Sequence, residues 1–130
     1  MTTEAAEARA TLLRQELARF IEIVTQQMQP ESIILFGSLA AGQVDEWSDL
    51  DLVVIADTDW PFYERIKHVL QSVRLRAGMD VLIYTPAEWA ELVSERPFSG
   101  NEILVFDITV VPAGQSTKHT VQFKREFFAG

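Results

Sequence analysis

The sequence predicts an α/β (α+β) fold, a small mixed sheet of about four strands flanked by helices. Three observations carry that expectation. Apolar residues recur at helical spacing across residues 4–28, in Leu13, Leu17, Phe20, Ile21, Val24 and Met28. Short apolar runs bounded by Gly, Pro or acidic residues follow at 32–36, 50–56 and 79–84. A helix-length segment separates the last two runs, and a crossover of that kind makes two strands parallel.

Each element has a local reason. Pro30 stops the first helix. Ser32 to Phe36 is a buried strand that Gly37 breaks, and Ser38 caps a short helix reaching about Gly42. Gln43 to Ser48 is a polar loop. Leu50 to Ala56 is apolar on both faces beyond Asp51, as a central strand requires. Asp57 to Pro61 turns into a helix over 62–76, with Ile66, Val69, Leu70 and Val73 inward and Gly78 as its stop. Met79 to Tyr84 is the third strand. Thr85 caps and Pro86 opens a helix through about Ser94. Phe98 to Phe106 reads as another helix, and Ile108 to Val111 as a last strand.

The chain has 130 residues, room for one domain over 1–130. Its tail, 113–130, carries Val121, Phe123, Phe127 and Phe128, too apolar to hang free, so it docks on the body or on a second subunit as a homo- or hetero-oligomer. Hydrophobic residues make up 48% and charged residues 23%, a globular rather than a disordered composition. There is no cysteine, which removes disulfides, thiolate zinc sites and thiol catalysis. The acidic start lacks the order of a signal peptide, and no apolar run nears the ~20 residues of a membrane helix, so a cytoplasmic protein is expected.

The net charge of −8 argues against general nucleic-acid binding, which draws its affinity from Lys and Arg on phosphates. It favours a small anion carried by metal, or a basic protein partner. The basic group Arg65, Lys67, His68, Arg74 and Arg76 reads as a solvated helix face. His68 and His119 read as surface histidines, and Trp47 as packing its own loop.

Chemistry concentrates in three acids and a Gly-Ser pair. Asp49 and Asp51 are spaced to share a strand face. Asp80 opens the third strand, so parallel pairing brings all three to one sheet edge. An antiparallel first strand delivers Gly37 and Ser38 to that same edge. Carboxylates there suit two Mg²⁺ ions, with Mn²⁺ as the alternative, whose shells substrate phosphates complete. Gly37 lets the backbone approach a phosphate, Ser38 adds a hydroxyl, and a helix starting there adds its positive end.

Gly37-Ser38, ten intervening residues, then Asp49-Leu50-Asp51-Leu52 and Val54, resembles the signature of polymerase-β-like nucleotidyltransferases. Ser48 before Asp49, and Gly42 four after Ser38, resemble the minimal nucleotidyltransferase group. The resemblance implies that Asp49, Asp51 and Asp80 ligate metal and catalyse. It implies that Gly37, Ser38 and Ser48 bind ATP or another NTP. Many members carry Arg where this chain has Ala41. Small members often act as antitoxins that adenylylate a tyrosine of a HEPN-family toxin. Transfer to a small molecule such as an aminoglycoside, and non-catalytic masking of a partner, are the other functions the resemblance allows.

Overall fold

The computed structural model describes residues 3–74, 76–95, 101–110 and 119–128, with side chains described over 3–74, 76–92 and at 94. The elements run α1 (Glu4–Met28), β1 (Ser32–Phe36), α2 (Gly37–Ala41), β2 (Leu50–Ile55), α3 (Phe62–Ser72), β3 (Met79–Tyr84), α4 (Pro86–Glu95), β4 (Asn101–Val110) and β5 (His119–Phe128). Thr3 caps α1 by accepting from the Ala6 N–H, and Gln29 ends it in the left-handed region at φ 50°.

The sheet has five strands in the order β3-β2-β1-β4-β5. It is mixed: β2 and β3 are parallel, while β1 runs antiparallel to both β2 and β4. β2 is internal to the sheet, as its two apolar faces require. One face packs Ile33, Leu35, Leu50, Leu52, Val54, Val81 and Ile83 against α1, α2 and α3. Phe20, Leu13 and Val24 supply α1's part of that core, each fully buried. The other face gathers Ile34, Val53 and Ile55 with Phe36, Tyr84 and Trp89 of α4.

Four expectations need correction. Residues 101–106 form part of β4 and not a helix; the unbroken apolar run Ile103-Leu104-Val105-Phe106 has no period to tell the two apart. The tail docks on the body, one of its two expected places, as β5 paired with β4 from Asn101↔Phe128 to Val110↔His119, so the sheet has five strands and not about four. α3 ends at Ser72, four residues early, because Val73 turns to an extended conformation and is buried. Leu70 faces outward, at 48% exposure. No helix of the described residues is long and apolar enough to cross a membrane.

The basic group on and after α3 is solvated as expected at Lys67, His68, Arg74 and Arg76, and departs from that only at Arg65. Arg65 is buried, donating to the carbonyls of Trp60 and Ile83 and to Glu88 Oε1 at 2.6 Å. Arg76 donates to buried Glu16 through both its backbone N–H and its guanidinium.

Candidate functional site

The parallel register of β2 and β3 sets Asp51 beside Asp80. On the other side of β2, Phe36 is the cross-strand partner of Asp51. Gly37, the next residue, begins α2 with φ +75°, a conformation that L side chains rarely adopt. A Cβ at Gly37 would overlap Asp51 Oδ2 and stand 3.2 Å from Asp51 Cγ. The backbone turn and the carboxylate are therefore in direct contact.

Asp51 and Asp80 sit at one end of a trough of about 600 Å³. Its walls include Phe36, Leu82, Tyr84, Trp89 and Leu92. Tyr84 tilts against Phe62 and Trp89, at ring-centre distances of 5.4 and 5.9 Å. Burial pushes the Asp51 carboxyl above the usual carboxylate range. The Asp80 charge and a hydrogen bond with Asp80 push it the same way, and the Asp49 charge adds least.

Asp49 is placed differently. It precedes β2, half exposed, and its Oδ1 accepts from Arg9 Nη2 at 3.2 Å. Arg9 Nε donates to the Ser48 carbonyl at 2.7 Å. Gly78 closes the other side, where a Cβ would lie 2.7 Å from Asp49 Cγ. Asp49 is not among the residues lining the trough. Among the described residues, no three acids or imidazoles converge as metal ligands. Asp51 and Asp80, two carboxylates side by side in the parallel register, fit a hard cation.

The remaining candidates lie nearby with other engagements. Ser38 is the second residue of α2, half-buried, and does not cap it; α2 has five residues, too few for a useful dipole. The Ser48 hydroxyl closes a turn with Asp45, accepting from its N–H at 3.0 Å. Trp47 is 80% exposed and so is not packed into its loop as expected. His68 stacks on Trp60 at 4.0 Å, away from the trough. The side chain of His119 lies outside the described residues.

Sequence reasoning missed Arg9 and took Gly78 only as a helix stop, though the helix ends at Ser72. A signal for Arg9 existed: it stands four residues before Leu13, on the apolar stripe of α1, where a charge calls for a partner.

Residues 19–105 match the family model described as Polymerase beta, Nucleotidyltransferase. The match spans Gly37, Ser38, Asp49, Asp51 and Asp80. A comparison with curated proteins finds no significant match. Among solved structures, the chain resembles "a putative nucleotidyltransferase from Sulfolobus solfataricus", with a TM-score of 0.58 and 18% identity, covering 69% of this chain and 82% of that one. At this identity the likeness is one of fold. With two thirds of its length matched, the chain belongs to the polymerase beta nucleotidyltransferase family.

Proposed function

We propose that this chain is a metal-dependent nucleotidyltransferase of the minimal type, transferring AMP from ATP to the hydroxyl of a protein acceptor. The observation that carries the reading is the in-register pair Asp51 and Asp80 beside the Gly37 turn. Asp49, Asp51 and Asp80 would hold Mg²⁺ or Mn²⁺, which when bound neutralises the phosphates and polarises the reacting oxygens. Gly37 and Ser38 offer backbone and hydroxyl to the phosphates, with Ser48 at their edge. The raised carboxyl of Asp51 is the electrostatic demand that a cation would satisfy. In the transfer, the acceptor oxygen bonds to the α-phosphorus, the α–β bridge breaks, pyrophosphate leaves and the hydroxyl proton is lost to solvent.

Two features favour a protein acceptor. The charge of −8 steers a basic partner, such as a HEPN-family toxin, toward the acid patch. Among the described residues the trough walls are aromatic and aliphatic apart from Asp51 and Asp80. A polycationic aminoglycoside needs acids along its whole length, whereas an aromatic hydroxyl on a peptide suits apolar walls.

The test is incubation with Mg²⁺, ATP and the product of the neighbouring gene. Intact-mass measurement should show addition of whole AMP units, and the Asp51→Asn protein should add none. Binding and loss of toxicity without an adduct would replace this reading with non-catalytic masking. Labelling of an antibiotic or small alcohol instead would make the small-molecule reading correct.

A further inference from the structure

Asp49 in this structure answers to a cation the protein itself supplies. Arg9 reaches from α1 and straps the entry of β2 at two points, the Ser48 carbonyl at 2.7 Å and Asp49 Oδ1 at 3.2 Å. Gly78 fills the space on the opposite side of the carboxylate. So Asp49 is lodged between α1 and the turn before β3, while Asp51 and Asp80 face the trough. A guanidinium on Asp49 occupies a lone pair that a metal would use, and it repels the incoming ion.

We infer that Arg9 is a positioning residue that holds Asp49 apart from the Asp51–Asp80 pair, and that metal loading exchanges the Arg9 ion pair for Asp49 ligation. This rests on the reading of the three acids as a metal site. The ion pair is partly exposed, with Arg9 at 23% and Asp49 at 49%, so its hold is modest. Its removal should tighten metal binding about two- to five-fold, the range measured for exposed pairs.

The experiment titrates Mn²⁺ alone into the nucleotide-free full chain, reading free Mn²⁺ by electron paramagnetic resonance. Arg9→Met should bind about two- to five-fold more tightly than the parent, and Arg9→Lys, which keeps the charge, should stay near it. In an Asp49→Asn background the gain from Arg9→Met should disappear. Arg9→Gln, which retains a donor for Ser48, serves where the methionine variant does not fold. Unchanged or weaker binding by a folded, uncharged variant overturns the inference. So does a gain that persists in full without Asp49, which is general repulsion and not a hold on that residue. No Mn²⁺ binding by parent and variant alike overturns the metal reading and this inference together.

Discussion

Replacing Gly37 by alanine imposes two separable penalties. The first is strain: at φ +75° a Cβ costs about 1–2 kcal/mol. The second is displacement, because that Cβ falls on Asp51 Oδ2 and forces the carboxylate off its place beside Asp80. Gly42 provides the control. It has nearly the same φ, +72°, and nothing within 4 Å of its own Cβ position. Gly42→Ala therefore carries strain alone. For a chain of this size 1 kcal/mol is worth about 4 °C, so both variants should melt roughly 4–8 °C lower. Only Gly37→Ala should also lose Mn²⁺ affinity, by about tenfold or more, since a ligand moved out of reach forfeits at least 1.4 kcal/mol. Scanning fluorimetry and Mn²⁺ titration measure the two quantities on the same samples. Equal Mn²⁺ affinity in the two alanine variants would refute the reasoning, for Asp51 would then not be a ligand at the Gly37 turn.

Two further outcomes follow from the charges. Asp51 has a raised native carboxyl, so its favourable contribution exists below the unfolded value and is lost as pH rises through the native one. At neutral pH its charge is a cost, and Asp51→Asn should melt higher than the parent without metal while transfer falls about a hundred-fold or more; a lower melting temperature would contradict the repulsion. Glu16 has the opposite sign. Burial raises its carboxyl, but hydrogen bonds from Arg76 and Arg19 outweigh this and leave it below the reference 4.5. For Glu88 the Arg65 hydrogen bond is the largest cause and lowers it. Both contribute stability above that value that is lost as pH falls through the depressed native values. Glu16→Gln should cost roughly 1.5–3 kcal/mol at pH 7, the range for bonds to a charged group, and should flatten the acid limb of a melting profile from pH 6 to 3. An unchanged acid slope would show that Glu16 does not titrate with unfolding.

The site edge was legible because strand period and crossover length fix which ends meet. Leu50 to Ile55 and Met79 to Tyr84 had to be parallel, and the register then aligns Asp51 with Asp80. What failed has physical causes. The apolar run in β4 carries no period, so only its partners make it a strand. Val121, Phe123 and Phe127 in β5 stand at strand period, but Arg125 interrupts the apolar face, so the signal is weak without the partner strand. Charges on apolar stripes were the other loss. Arg9 precedes Leu13 by one turn, Glu16 lies between Leu13 and Phe20, and Arg65 precedes Val69. Each pattern says that a partner exists, and none says where it is, since the partners lie 39 or 40, 60 and 23 residues away.

Those partners make α1 more than a cover for the sheet. Glu16 fixes Arg76 by its backbone N–H and its guanidinium, and Arg19 of the same helix donates to the Arg74 carbonyl. Together they tie down the turn that leads into β3. The Gly78 carbonyl of that turn accepts from the Leu50 N–H at 3.0 Å, and the Gly78 backbone abuts Asp49. Arg9 holds Ser48 and Asp49 from the other side. So one helix sets the entry of β2 and the turn before β3, the two places from which the acids emerge. The apolar core fixes where the strands run, because Leu13, Phe20 and Val24 bury against their inner face. The charges on the same helix then fix where the strand ends lie, because each spans a gap that packing leaves undetermined. A polar change on α1 can therefore alter the acid patch without touching it, while an apolar change there alters stability first.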